Sequence, residues 1–167
     1  MKLAWILWIA SALPPQAADS LCLSTTVYLE ARNQPVMGQI AVAEVALRRE
    51  ASGLWGDSMC QVVTARKQFA PTLVSPRTRL SNSEAWSRAV TIALEAERNW
   101  ALPEGQRKEV VPGASHFAAL DIAQPSWRNA YQVAKIGDHT FLKVQSLKPK
   151  KDKLLAQRRR ESEPPRT

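Results

Sequence analysis

Leu21-Cys-Leu-Ser-Thr-Thr-Val-Tyr-Leu-Glu-Ala-Arg-Asn-Gln-Pro35 combines a helical pattern with a signal that ends a helix. Four of its residues fall three or four positions apart and therefore share one side of a helix: Leu21, Thr25, Tyr28 and Leu29. The proline ends the pattern, because the residue before a proline is pushed out of the helical region. The stretch predicts a helix that carries Glu30 at its carboxyl end.

Glu30 has a distinctive electrostatic position in this prediction. A carboxylate at a helix carboxyl end faces the negative end of the helix dipole, which disfavours its ionised form. Contact with Tyr28 and other apolar neighbours would raise its pKa further through desolvation. An acid that keeps its proton near neutral pH is suited to general acid catalysis. From spacing alone, a solvated glutamate at a helix end is the plainer interpretation.

The composition is that of one globular domain, since the chain has 167 residues, of which 45% are hydrophobic. The net charge of +8 predicts attraction to polyanions, a class that includes nucleic acid, anionic lipid and anionic wall polymers. Charge alone does not choose among these partners.

Residues 1–20 resemble a signal peptide for export. Lys2 supplies the positive start, an apolar run covers 3–13, and Ala17 and Ala18 supply small residues near the end. The run is shorter than the roughly 20 apolar residues that span a bilayer. We therefore expect an exported protein, periplasmic or extracellular. The cleavage site lacks the usual small residue three positions before the cut, so an uncleaved membrane anchor is the alternative.

The next part of the chain predicts three more helices. The second helix covers 36–49, with an apolar stripe of Val36, Ile40, Ala43 and Leu47. A short helix capped by Asp57 runs to about residue 66, and 67–80 is a loop. The longest helix covers 81–100 and opens with the capping box Ser81-Asn-Ser-Glu84.

The last part predicts a small antiparallel sheet. Residues 111–119 are extended, and 131–136 and 139–144 form a hairpin around Gly137-Asp138. Helices first and a sheet later give an α+β fold. Residues 145–167 are rich in Lys and Arg, which predicts a solvated basic tail.

The two cysteines, Cys22 and Cys60, form an even pair, and such pairs in exported proteins are more often bridged than free. A bridge would join the Glu30 helix to the segment near Cys60; two buried free thiols are the alternative. With two histidines and two cysteines and no close ligand spacing, we expect no metal site.

Several pieces of the chain together resemble the SleB-like cell-wall hydrolases, which include spore-cortex-lytic enzymes and related proteins of bacteria and phages. In order, the pieces are 22–32 (CLSTTVYLEAR), 38–47 (GQIAVAEVAL), 60–63 (CQVV), 68–69 (QF), 113–117 (GASHF), Trp127 and 136–141 (IGDHTF). The resemblance covers 21–144, which is therefore the expected catalytic domain. Arg48, Ala70 with Pro71, and Ala118 depart from the family's usual residues.

The resemblance implies a lysozyme-like fold, helices packed beside a small sheet, with a groove for a glycan strand and Glu30 as catalytic acid. Glycoside hydrolysis usually takes two carboxyl groups. Only Glu44 stands out as a partner for Glu30, and a lone Glu favours a lytic transglycosylase. Such an enzyme cuts between N-acetylmuramic acid and N-acetylglucosamine without any cofactor. A muramidase-type hydrolase and a non-catalytic wall-binding module remain alternatives.

Five further residues are candidates for substrate contact: Arg32, Gln68, Phe69, His116 and Trp127. An amide suits sugar hydroxyl and acetamido groups, and aromatic rings stack on apolar sugar faces. Each candidate has a structural alternative: a helix-end charge for Arg32, core packing for Phe69 and Trp127, and a buried structural histidine for His116. His139, at the start of a strand, is most simply structural.

The expected partners are peptidoglycan glycan strands, with anionic envelope polymers as a further partner for the basic tail. A nucleic-acid-binding role has only the net charge in its favour, and the export signal argues against it. We expect a monomer.

Overall fold

The structure is a computed structural model that describes residues 1–66, 68–121, 123, 125–127 and 129–144. Within them, five helices precede a three-stranded sheet: α1 (Leu3–Ala12), α2 (Pro15–Ala31), α3 (Val36–Ser52), α4 (Met59–Thr64), α5 (Ser83–Trp100), β1 (His116–Ala118), β2 (Ala130–Ile136) and β3 (His139–Val144). The predicted α+β order is confirmed. The predicted basic tail, 145–167, lies outside the described residues.

Helix α2 is the central element, since it packs against α1, α3, α4 and α5. Its middle is buried on all sides although it contains three hydroxyl residues, Ser24, Thr25 and Thr26. Each hydroxyl donates to the backbone carbonyl four residues earlier, so no hydroxyl is buried without a partner. Small, internally satisfied side chains let four helices approach this one closely.

Helix α2 begins at Pro15, earlier than the sequence pattern indicated. Proline suits the first helical position, because its missing N–H would have no partner there. The preceding helix α1 buries Leu3, Ile6 and Ala10 in the same core. None of the described helices is both long and apolar enough to cross a membrane. The boundary of the predicted signal peptide stays a prediction.

Two predicted helix caps are wrong by one residue each. Ser58, not Asp57, caps α4, and its hydroxyl accepts from the backbone N–H of Gln61. Asn82, not Ser81, caps α5 and accepts from the N–H of Ala85. Asn and Ser are about equally good caps, so the local pattern did not separate neighbouring candidates.

Cys22 and Cys60 are joined by a disulfide with an S–S distance of 2.09 Å. The bond ties the first half of α2 to the amino end of α4. The Cys22 side chain is buried in the main core. The free-thiol alternative does not apply to this structure.

Helix α3 separates two cores. Ala43 and Leu47 face the helical core, whereas Val42 and Val45 face the sheet and pack with Phe141. The predicted stripe on α3 is therefore only part of what is buried. The assignment of Val36 to the buried stripe is wrong, because that residue is 51% exposed.

The sheet has strand order β1-β3-β2 and is antiparallel throughout. The predicted hairpin turn is present at Gly137, which adopts a positive φ of 59°. The turn is fixed to the α2–α3 connection: the Asp138 N–H donates to Gln34 Oε1, and Gln34 Nε2 donates to Asp138 Oδ2, both at 2.9 Å. These bonds bring the sheet to the carboxyl end of α2, where Glu30 lies.

Candidate active site

A cavity of about 740 Å³ opens between the carboxyl ends of α2 and α3 and the sheet. That volume lies within the usual range for a small-molecule or oligosaccharide site. It is lined by Glu30, Arg49, Trp55, Gln68, Leu73, His116, Phe117, Ala118, Ala119, Ala123, Pro125, Trp127 and His139. Residues from four separate segments thus meet beside Glu30.

Glu30 is in the last turn of α2 and is largely removed from water. Burial raises the pKa of its carboxyl group, while the backbone N–H of Ala70 and the charge of Arg49 oppose that rise. The Ala70 N–H donates to Glu30 Oε1. The group is therefore biased toward the protonated acid, yet its carboxylate form has stabilising neighbours in place.

Tyr28, considered above as an apolar neighbour of Glu30, packs toward α5. The Tyr28 ring packs edge-on against Trp86 of α5 with centroids 5.9 Å apart, and its hydroxyl accepts from the Asn82 N–H. Residues two positions apart point to nearly opposite sides of a helix. The loop that carries Ala70 contacts Glu30 through the Ala70 N–H.

Arg49, in the last turn of α3, is a functional candidate that the sequence interpretation missed. It is only 4% exposed. Its Nε donates to the carbonyl of Ser115 at 2.8 Å, and one terminal nitrogen donates to the carbonyl of Gln68 at 3.3 Å. Burial lowers the pKa of Arg49 to about 10, which leaves it charged at neutral pH. Its spacing from buried Val42 and Val45 was the available signal.

His116, on β1, lines the cavity as expected. Its Nδ1 is 2.9 Å from the Ser115 hydroxyl, and its ring meets the edge of Trp127 with centroids 4.7 Å apart. Burial, with a smaller effect from Arg49, lowers the pKa of His116 to about 4. The imidazole is therefore neutral near pH 7 and can offer a hydrogen bond without a charge.

The other four predicted contact residues divide into two groups. Gln68 and Trp127 line the cavity with Glu30. Phe69 is 1% exposed and packs in the core, which corrects the expectation that it stacks on a sugar. Arg32 is exposed and lies over the ring of Tyr28 at 5.2 Å, so it does not reach the cavity.

Three aromatic residues complete the cavity walls. Trp55 comes from the turn after α3, Phe117 from β1 and His139 from β3. His139, expected to be structural, is buried, and burial lowers its pKa. Strand alternation places Phe117 and its neighbours in the chain on opposite faces, so it did not indicate that they line one cavity, and a tryptophan in a Gly-rich turn carries no signal of that kind.

Glu44, the suggested second carboxylate, does not line this cavity. It is 2% exposed, and its two oxygens accept from the backbone N–H groups of Val110 and Val111 at 2.7 and 2.9 Å. Burial raises its pKa, and these two hydrogen bonds oppose that effect. Among the described residues that line the cavity, Glu30 is the only carboxylic acid.

No metal-binding group was identified in the described part of the chain, where no three His, Cys, Asp or Glu side chains are arranged to hold an ion. The chemistry that the cavity residues themselves offer is proton transfer at Glu30, beside a buried cation, neutral imidazoles and aromatic walls.

Comparison with protein families matches residues 33–142 to the family described as Cell Wall Hydrolase. The chain is also similar to two spore cortex-lytic enzymes. It is 29% identical to the one from Oceanobacillus iheyensis over 130 residues and 30% identical to the one from Halalkalibacterium halodurans over 124 residues. These alignments cover 75% and 74% of this chain but only 41% and 34% of the relatives.

Two solved structures resemble the fold. The catalytic domain of the Bacillus cereus SleB protein matches with a TM-score of 0.58 and 28% identity, over 75% of this chain and 89% of that one. The catalytic domain of the germination-specific lytic transglycosylase SleB from Bacillus anthracis gives 0.59 and 25%, over 75% and 93%. The resemblance to SleB-like proteins and the predicted lysozyme-like fold are confirmed.

Proposed function

The chain belongs to the cell wall hydrolase family, and on that premise we propose that it is a peptidoglycan lytic transglycosylase with Glu30 as its single catalytic acid and base. The proposed substrate bond joins N-acetylmuramic acid to N-acetylglucosamine. The observation that carries the proposal is a cavity in which the only carboxylic acid among the described lining residues is a half-buried group with a raised pKa.

In the first step Glu30 acts as a general acid. It gives its proton to the oxygen that bridges the two sugars, and the bond from that oxygen to C1 of the muramic residue breaks. N-acetylglucosamine leaves with a free 4-hydroxyl, and positive charge develops at the muramic C1. Burial favours this step, because it keeps Glu30 protonated at a pH where an exposed glutamate is ionised.

In the second step the Glu30 carboxylate acts as a base. It removes the proton from the muramic 6-hydroxyl while the 6-oxygen bonds to C1, which closes a 1,6-anhydro ring. Glu30 returns to its protonated form, and no water is consumed. One residue serves both steps because its acid form is favoured by burial and its carboxylate form by the Ala70 N–H and Arg49.

The cavity walls suit a glycan strand. Trp55 and Trp127 offer ring faces and edges to apolar sugar surfaces, and Gln68 offers an amide to hydroxyl or acetamido groups. His116 is neutral near pH 7, so it can donate or accept a hydrogen bond without adding a second positive charge to the cavity.

The position of Glu44 favours a lytic transglycosylase over a hydrolase. Hydrolysis usually uses two carboxyl groups about 5–9.5 Å apart, one on each side of the scissile bond. Both oxygens of Glu44 are already bonded to backbone N–H groups outside the cavity. The ring closure described above needs no second carboxylate.

Mass spectrometry of muropeptides tests this proposal. Purified peptidoglycan is incubated with the unmodified chain, with Glu30→Gln, and with Glu95→Gln, a control at an exposed position of α5. We expect 1,6-anhydro-muramic ends from the unmodified chain and the control, and a loss of about a hundredfold or more for Glu30→Gln. Reducing ends would indicate hydrolysis. Wall binding without any product would favour the binding-module alternative.

We also propose that the chain acts outside the cytoplasm, with 21–144 as its catalytic domain, since peptidoglycan is an envelope polymer. Residues 1–20 carry the features of a signal peptide. Intact-mass analysis of the protein recovered from the cell envelope would find the segment removed or retained, and recovery from the cytoplasm alone would contradict export.

A further inference from the structure

Arg49 is a charged group held in an apolar setting at the edge of the cavity. The rings of Phe69 and Trp55 lie 4.6 and 5.1 Å from its guanidinium carbon. Its hydrogen bonds go to the backbone carbonyls of Ser115 and Gln68 and to the side-chain oxygen of Gln68. The side chain therefore links the residue before β1 to the Gln68 segment and is held by both.

A buried cation is costly unless a negative group compensates it. Within the described residues Arg49 forms no ion pair at contact distance, although Arg48, its neighbour in sequence, pairs with Glu109 at 2.6 Å. The carboxyl group that lines the same cavity is Glu30, and each of the two groups shifts the pKa of the other. Among the described lining residues, the group that can compensate the Arg49 charge is therefore the ionised Glu30 carboxylate.

The geometry points to a positioning role for Arg49: it stabilises the Glu30 carboxylate that exists between the two proton transfers, and it holds the Gln68–Ala70 segment against Glu30. This inference rests on the proposed function of Glu30. During the reaction the negative charge appears on Glu30 only after its proton has moved to the bridging oxygen. A fixed cation that favours that state lowers the barrier to forming it, because it acts more strongly there than on the resting acid.

Two other titratable side chains face the cavity beside Glu30, namely His116 and His139. Burial lowers the pKa of both, so they are neutral near pH 7. The backbone N–H of Ala70 adds a fixed dipole. Within the described lining residues, Arg49 is therefore the group that places a full positive charge in the same cavity as Glu30 at neutral pH.

The first test measures the pKa of Glu30 directly, by carbon-13 NMR of the glutamate carboxyl groups in substrate-free protein. The Glu30 signal is assigned by its loss in Glu30→Gln. Arg49→Gln removes the charge but keeps an N–H donor at the position of Arg49 Nε, which donates to the Ser115 carbonyl, and Arg49→Lys keeps the charge. We expect the pKa of Glu30 to rise by about one unit or more in Arg49→Gln and to return toward its original value in Arg49→Lys.

The second test follows activity against pH. An acid catalyst works below its pKa, and activity is lost as the pH rises through it. We expect the alkaline limb for Arg49→Gln to move to higher pH with the pKa of Glu30. On the pH plateau, where Glu30 is protonated in both proteins, the turnover rate should fall by up to about tenfold, because an acid weaker by one pKa unit gives up its proton less readily. The KM should change less than kcat.

Arg48→Met is the matched control, because Arg48 lies beside Arg49 but donates to Ala114 and Glu109 away from the cavity. Its pH profile should match that of the unmodified chain. An unchanged Glu30 pKa and an unchanged pH profile in folded Arg49→Gln would show that Arg49 has a purely structural role. This result would overturn the inference.

Coupling between two sites is reciprocal, which provides a test that does not need an Arg49 variant to fold. In Glu30→Gln, the pKa of Arg49 measured by nitrogen-15 NMR should fall below its value of about 10 in the unmodified chain. No change would overturn the inference. These titrations need no substrate, so absence of anhydro product would refute the proposed function without deciding the coupling.

Discussion

Replacing Glu44 with Gln separates a structural carboxylate from a catalytic one. Glu44 is 2% exposed and accepts two backbone N–H groups, those of Val110 and Val111. Glutamine has one acceptor oxygen and an NH₂ group in place of the second. In Glu44→Gln one N–H group keeps its partner, while the other meets a donor and loses its hydrogen bond.

The expected cost follows from that exchange. A hydrogen bond to a charged group is worth about 1.5–3 kcal/mol, and a buried donor left without a partner costs about 1–3 kcal/mol. These effects overlap, so we expect the free energy of unfolding to fall by about 2–4 kcal/mol. The arrangement of the residues that line the Glu30 cavity should not change, because Glu44 contacts the segment before β1 from outside the cavity.

Urea unfolding followed by circular dichroism measures the loss of stability, and muropeptide analysis measures the chemistry at a temperature where the variant is folded. Glu109→Gln is the control: its carboxylate pairs with Arg48 at a partly exposed position, so the loss should be about 1 kcal/mol or less. If Glu44→Gln keeps its stability but loses the anhydro product or changes it to reducing ends, Glu44 takes part in catalysis and the single-acid reasoning fails.

Three other predictions concern stability. Replacing both Cys22 and Cys60 with Ala should lower the free energy of unfolding, measured with urea, by about 4 kcal/mol, because the disulfide closes a loop with a sequence separation of 38 in the unfolded chain. A change within error would mean that the unfolded state is already compact. Because the pKa of His116 is lowered to about 4, the unfolded chain takes up a proton first as the pH falls. Stability should therefore be full above about pH 6.5 and decrease by about 2–3 kcal/mol toward pH 4. His116→Gln should flatten that decrease in urea titrations, and an unchanged slope would contradict the assigned pKa. Gly137→Ala should destabilise the hairpin by about 1 kcal/mol or more, because the residue has a positive φ and an added Cβ would meet Gln34; equal melting temperatures for Gly137→Ala and the unmodified chain would refute this.

Local patterns in the sequence were enough for most of the elements and for their order, although they did not indicate α1 or the start of α2. Apolar spacing indicated α3 and α5, Pro35 marked the end of the Glu30 helix, and Gly137-Asp138 marked the hairpin. Each of these signals acts through steric and hydrogen-bond preferences of neighbouring residues, so it can be read without the fold. The one available cysteine pair likewise left a single disulfide to consider.

The composition of the site could not be derived in the same way. Glu30 and Trp127 were candidates because of motifs, but the inward direction of Arg49 and the outward direction of Arg32 depend on how the helices pack. Phe69 looked equally suited to the cavity and to the core. The position of the Phe69 ring was decided by its packing beneath Arg49, which is 20 residues away in the chain.

The sequence by itself determined the α+β plan, the helix that ends near Glu30 and the family resemblance, because these follow from local periodicity, turn residues and ordered motifs. Only the tertiary structure decided that Glu30 is half-buried in the same cavity as Arg49 and that Glu44 is bonded to the backbone at Val110 and Val111, 66 and 67 residues away. Burial and charge compensation are properties of the surroundings of a side chain, and those surroundings come from distant segments that meet when the chain folds.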